Sequence, residues 1–162
     1  MQFYSTENVL SRTGRNFLHV AINEADTEAV LFLVQVRVDP NSRTKDGDDS
    51  SPLHLAVKSG DEFIVRNLTL AGGDINATDA RQATPLHLAA ELDLCGVAEI
   101  LLQSGADPSL LDQDGNNALH LAARWNAVSI TRSLLQESRI DPKLPNAKGK
   151  NFLHLIAYHG YG

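Results

Sequence analysis

The chain has 162 residues, a net charge of −6 and a hydrophobic content of 43%. This apolar content is enough to bury a core and excludes a disordered chain, and the acidic balance argues against a nucleic-acid partner. No apolar run reaches the roughly 18 residues of a membrane span, and residues 1–10 lack the basic region and apolar stretch that would predict a secretory leader. The single cysteine, Cys95, cannot form an internal disulfide, which predicts a reducing compartment such as the cytoplasm.

A tetrapeptide that ends in Leu-His recurs along the chain. Its five copies lie at residues 16–19, 51–54, 84–87, 117–120 and 151–154. The five histidines stand 35, 33, 33 and 34 residues apart. A period near 33 residues with a Thr-Pro-Leu-His-type signature is typical of the ankyrin repeat, which has two short antiparallel helices and a turn-bearing finger. The sequence therefore predicts an all-α ankyrin-repeat solenoid of helix-turn-helix units joined by β-hairpin fingers.

The predicted repeats follow one another without linkers. They run over 14–47, 48–80, 81–113 and 114–148, with a truncated repeat at 149–162 and the end of a preceding finger at 1–13. Two fingers depart from the pattern, since Gln82 stands where a glycine is expected and the finger at 46–49 is longer by two residues. Neither end carries the polar cap of a complete solenoid, so we expect a segment of a longer array.

The phased histidines raise the possibility of a metal site. Metal ligands must all lie about 2 Å from one ion, whereas packed helices stand about 8–10 Å apart and spread equivalent histidines along the stack. We therefore predict that each histidine bonds the backbone at its own helix start and joins neighbouring fingers.

Other catalytic patterns are incomplete. Cys95 and His87 lack an orienting third group, and Asp112 to Gly115 lacks the remaining ligands of a calcium loop. No phosphate-binding glycine loop occurs. We predict a protein that is not an enzyme and needs no cofactor.

A binding surface remains the best candidate site. In this fold the fingers and the exposed faces of the first helices form a concave wall. Its predicted contact residues are Arg43, Lys45, Arg81, Gln82, Gln113, Asn116, Arg124, Trp125 and Lys148, with Glu91, Asp93 and Lys150 beside them. The sole tryptophan is either a binding anchor, as Trp and Arg often are at interfaces, or a side chain packed on its own loop.

Charge is segregated along the chain. Residues 61–114 hold ten acids against two bases, a net of −8, and residues 115–162 hold six bases against two acids, a net of +4. Such a dipolar array would steer a charged partner, although part of the charge only solvates outer faces.

Residues between the repeat markers are more specific. The segments 19–22 with 29–33, 52–57 with 64–68, and 115–122 are similar to consecutive late repeats of the rabankyrin family, ankyrin-repeat and FYVE-domain proteins. The resemblance covers about 17–156, and Arg66-Asn67 and Asn116-Asn117 carry it best. It implies a cytoplasmic effector on the early-endosome surface, in endocytic traffic and macropinocytosis. It also implies an endosomal Rab GTPase or trafficking protein as partner, and no direct membrane contact from this segment.

Two other functions are also consistent with the sequence. A regulatory ankyrin module could mask a transcription factor, and such a protein would shuttle between nucleus and cytosol. A rigid spacer would tolerate surface substitutions but not the deletion of a repeat.

Overall fold

A computed structural model describes residues 15–160, and the predicted finger end at 1–13 lies outside them. The described residues form four helix pairs followed by a single helix. The helices are α1 Phe17–Asn23, α2 Thr27–Gln35, α3 Pro52–Ser59, α4 Glu62–Leu70, α5 Pro85–Glu91, α6 Cys95–Gln103, α7 Ala118–Arg124, α8 Val128–Leu135 and α9 Phe152–His159. Within this part of the chain, every helix is too short or too polar to cross a bilayer.

The helices stack in two layers. The first helices of the pairs, together with α9, contact one another in the order α1, α3, α5, α7, α9, and the second helices follow as α2, α4, α6, α8. Small residues allow this close packing, since Ala56, Ala89 and Ala122 are fully buried at equivalent places in α3, α5 and α7. The stack confirms the predicted all-α solenoid. The exact division into repeats stays a prediction.

Each first helix begins at a closed hydrogen-bonded unit. The residue before the helix accepts a bond from the backbone N–H of the histidine three positions on, and the histidine ring accepts the backbone N–H of that capping residue. The five pairs are Asn16 with His19, Ser51 with His54, Thr84 with His87, Asn117 with His120, and Asn151 with His154. Reciprocal bonds of this kind satisfy two donors that a helix start would otherwise leave unpaired.

The fingers are turns, not strands. In the described residues one backbone bond closes the end of each finger, as between the Asp112 N–H and the Asn116 carbonyl at 2.8 Å, and three of the fingers have a second bond within the turn. The first finger closes from the Thr44 N–H to the Ser50 carbonyl at 3.0 Å, which confirms that it is two residues longer. A single closing pair cannot extend into a ladder, so the predicted hairpins are reduced to their turns.

Adjacent finger tips are also joined by the backbone. The N–H groups of Ala80, Gln113 and Ala147 donate to the carbonyls of Asp48, Arg81 and Asp114 over 2.9, 3.0 and 3.1 Å. The fingers therefore form a continuous row beside the first helices.

Gln82 occupies a left-handed backbone conformation. Its φ is 58°, and the glycines at the equivalent places, Gly115 and Gly149, have φ values of 72° and 69°. We expect Gln82→Gly to raise the free energy of unfolding by about 0.5 to 1 kcal/mol, because the relief of left-handed strain exceeds the entropy that glycine loses on folding. Urea denaturation followed by circular dichroism would measure the change.

Two reverse substitutions are the controls. A Cβ at Gly149 meets no atom within 4 Å, whereas one at Gly115 would lie 2.7 Å from the Ala147 nitrogen. We expect Gly149→Ala to cost about 1 kcal/mol of backbone strain. Gly115→Ala should cost more, because it also disturbs the bond between the two tips. Destabilisation by Gln82→Gly would contradict the strain account.

Candidate functional site

Four histidines join the first helices to the following fingers. The Nε2 atoms of His54, His87 and His120 lie 2.9, 3.0 and 2.9 Å from the backbone carbonyls of Ala83, Asn116 and Leu144. His19 makes the same contact with Ser42 at 3.1 Å. Since Nδ1 accepts a backbone N–H at the helix start, the proton lies on Nε2, which donates to the carbonyl. The predicted structural role of these histidines is confirmed.

Burial keeps these rings neutral. Removal from water lowers the pKa of His19, His54, His87 and His120 below the ordinary value of 6.5, and the carbonyl bonds only partly offset this effect. Both ring nitrogens are already used by the backbone, so these rings have no lone pair left for a metal ion or a substrate proton. Within residues 15–160 no group of three potential ligands is placed to hold a metal.

The other two candidate patterns are also accounted for by local contacts. Cys95 is half-buried at the first residue of α6, with its Sγ 3.7 Å from Glu99 Oε1 and 3.8 Å from Ser133 Oγ. The Asp112 carboxylate accepts bonds from the backbone N–H groups of Asp114 and Asn116 at 2.9 and 2.8 Å. The carboxylate closes its own turn, as an Asx turn does.

We call the finger tips together with the C-terminal ends of the first helices the finger wall. It comprises residues 45–49, 80–82, 113–115 and 147–149 at the tips and 58–59, 91–93, 124–126 and 158–159 at the helix ends. Seven of the predicted contact residues are exposed on it, namely Lys45, Arg81, Gln82, Gln113, Arg124, Trp125 and Lys148. Trp125 is the C-cap of α7 and is 56% exposed, and the Arg124 guanidinium carbon lies 6.0 Å from the centre of its ring.

Three predicted contact residues are held by the fold itself. Asn116 is only 4% exposed, with its side chain bonded to Asp112 and Asn146, so the prediction that it lies on the accessible wall is wrong. The Arg43 guanidinium donates to the carbonyls of Asp49 and Thr78 at 2.8 and 2.6 Å and ties two fingers together.

Arg81 is the third of these residues, although it remains half-exposed. It lies between two carboxylates, 3.6 Å from Asp79 and 3.5 Å from Glu91. The guanidinium therefore connects its own finger to the end of α5. Two carboxylates lie beside its charge in the absence of any partner.

A groove opens on the wall between α7 and α9. Its volume is about 350 Å³. Its lining includes Asp114, Arg124, Lys148, Lys150, Leu155 and Tyr158. Leu155 and Tyr158 were not among the residues predicted from the sequence. The repeat frame contains a signal for Tyr158, because it follows His154 by the same number of residues as Arg124 follows His120.

Comparisons with known proteins agree with this architecture. A family model for ankyrin repeats in three copies matches residues 18–112 and 86–162. The chain is 56% identical over 147 residues to Rabankyrin-5 of Mus musculus and to Rabankyrin-5 of Homo sapiens. Each alignment covers 91% of this chain and 13% of the relative, so the chain spans about an eighth of the length of these relatives. The rabankyrin resemblance inferred from the sequence is confirmed.

A more distant similarity is shorter. The chain is 35% identical over 74 residues to the inactive serine/threonine-protein kinase TEX14 of Mus musculus, which covers 46% of this chain and 5% of that protein.

Proposed function

Because the chain belongs to the ankyrin-repeat family and is similar to a segment of Rabankyrin-5, we propose that it is a non-catalytic segment whose finger wall binds a protein partner. The exposed Trp125 beside Arg124 is the observation that best supports this proposal. A large aromatic ring held at a helix end, with a guanidinium near its face, offers a partner both apolar area and charge.

The stiffness of the wall is a second supporting feature. Backbone bonds join the tips to one another, and histidines join the tips to the helices. A surface that is already ordered loses little conformational entropy when a partner binds. The exposed side chains can therefore bind without first folding a loop.

The finer proposal follows from the rabankyrin similarity. We propose that the full-length protein acts on the cytoplasmic surface of early endosomes in endocytic trafficking, and that its partner is an endosomal Rab GTPase or another trafficking protein. Imaging of the tagged full-length protein tests this. Puncta that coincide with an early-endosome marker are expected, and a nuclear–cytosolic distribution would instead favour a regulator of transcription.

A pull-down from cytosolic extract tests the finger wall. We expect Trp125→Ala to reduce partner recovery by about tenfold or more, as loss of a central Trp often does. Phe63→Ala is a matched control, because Phe63 is 52% exposed in α4, a helix of the second layer. Unchanged recovery with Trp125→Ala, or equal loss with Phe63→Ala, would contradict the proposed site.

A further inference from the structure

The finger wall carries a periodic charged pair. A residue at each tip, six positions before the histidine, faces a residue at the end of the first helix, four positions after it. Asp48 pairs with Lys58 at 3.7 Å, and Arg81 pairs with Glu91 at 3.5 Å. In these two places an ion pair links the tip to the helix.

The next pair in this series, Asp114 and Arg124, differs from the first two. Asp114 and Arg124 have the charges of Arg81 and Glu91 reversed, yet no ion pair joins them in residues 15–160. One repeat further, the tip residue is Lys148 and the helix-end residue is Tyr158, so no acid is present to form a pair. Along the finger wall, the ion pairs between tip and helix end stop after α5, and a groove opens between α7 and α9.

The open groove has a clear chemical character. Three bases, Arg124, Lys148 and Lys150, line it against one acid, Asp114. None of these bases forms an ion pair within the described part of the chain. Half-buried Leu155 and the 81% exposed Tyr158 add an apolar surface between the charges. The groove thus combines unpaired positive charge with a place for an apolar side chain.

We propose that this groove binds an acidic segment of a partner protein. Carboxylates of the segment pair with Arg124, Lys148 and Lys150, and an apolar side chain lies on Leu155 and Tyr158. Its volume of about 350 Å³ suits a few side chains of an extended segment rather than a folded domain. This inference rests on the proposed function, since it identifies the chemistry of the partner that the finger wall receives.

The neighbouring charge favours a short peptide over a nucleic acid. Residues 61–114 carry a net charge of −8, and the parts of the finger wall that lie among them hold Glu91, Asp93 and Asp114 against Arg81. A long phosphate backbone that followed the wall would meet these acids and be repelled. A short acidic segment can remain over the basic groove, and any basic or neutral residues that precede it would lie toward α5.

Selection from a display library of short random peptides tests the proposal on the whole chain. We expect the selected peptides to be rich in Asp and Glu and to share one large apolar residue. Fluorescence anisotropy with a selected peptide should show binding that weakens as NaCl is raised from about 0.05 to about 0.3 M, because salt screens these contacts. Failure to select acidic peptides would overturn the proposal.

Two variants locate the site. Arg124→Glu with Lys148→Glu should weaken binding of the selected peptide by about tenfold or more, because charge reversal turns attraction into repulsion. Asp114→Arg with Arg124→Glu keeps the net charge constant but recreates the charges of the closed Arg81–Glu91 link, and it should also weaken binding. The control, Arg66→Glu with Lys143→Glu, reverses two exposed bases outside the groove and should change affinity less than about twofold.

The outcomes separate this inference from the proposed function. Equal weakening by the control, or full competition by a short oligothymidine, would show general attraction to anions and overturn the acidic-segment proposal. If no acidic peptide binds but Trp125→Ala still reduces partner recovery, the proposed binding role of the finger wall stands and the groove proposal fails. If neither surface affects binding, both proposals fail.

Discussion

Replacing His87 by alanine is expected to lower the free energy of unfolding by about 3 kcal/mol or more, because buried polar groups lose their partners and a cavity forms. The ring accepts the Thr84 N–H at 3.1 Å and lies 3.0 Å from the Asn116 carbonyl. Both Thr84 and Asn116 are buried, at 1% and 4% exposure, so water cannot replace the lost bonds. Urea denaturation of the purified chain measures the effect.

His154→Ala is the matched control. His154 stands at the same position of the repeat, but it is exposed and its Nδ1 accepts only the Asn151 N–H, at 3.3 Å, among the described residues. Its loss should cost under about 1 kcal/mol, the range of an exposed capping contact. Equal losses for the two variants would show that the link to the next finger contributes nothing to stability.

The free energy of unfolding is expected to fall steeply as the pH drops below about 6.5 toward 5. Burial lowers the pKa of His19, His54, His87 and His120 below 6.5, so the unfolded chain binds more protons than the folded one once the pH approaches this value. The stabilisation is complete above pH 6.5 and is lost as the pH falls toward the folded pKa values. Each histidine adds a slope of up to about 1.4 kcal/mol per pH unit, and four together add up to about 5.5 kcal/mol per pH unit.

Urea denaturation at several pH values measures this slope. His54→Gln should flatten it by about one proton, since glutamine does not titrate. Asp46 acts in a separate, lower pH window, because hydrogen bonds from Thr44 and Arg15 lower its pKa from 3.8 to about 2. Equal stability at pH 7.5 and 5.5 would contradict a neutral, buried histidine row.

Both predictions test the histidine bonds that keep the finger wall ordered. His54, His87 and His120 hold each finger against the first helices, and the backbone bonds between tips pass this order along the row. Loss of one link should therefore loosen the neighbouring tips and weaken binding there, besides lowering stability.

Local interactions explain what could be predicted from the sequence. The helix starts were predictable because a cap and a histidine three residues apart satisfy each other within one turn. The left-handed position of Gln82 followed from the glycines at equivalent places. The roles of the histidines followed from the same regularity, since a periodic stack brings each ring to the next finger.

The candidate site depended on distances between side chains, which the repeat pattern does not determine. Asn116 was predicted to be accessible, but Asp112 and Asn146, one of them thirty residues away, draw its side chain inward. Arg81 and Glu91 meet across finger and helix, whereas Asp114 and Arg124, with the same chemistry reversed, form no ion pair in the described residues. The sequence alone thus determined the fold and the spacing of its parts, because those rest on short-range bonds repeated five times. The tertiary structure alone decided which charges remain available to a partner, because a difference of an ångström or two in the distance between charged groups determines whether an ion pair forms.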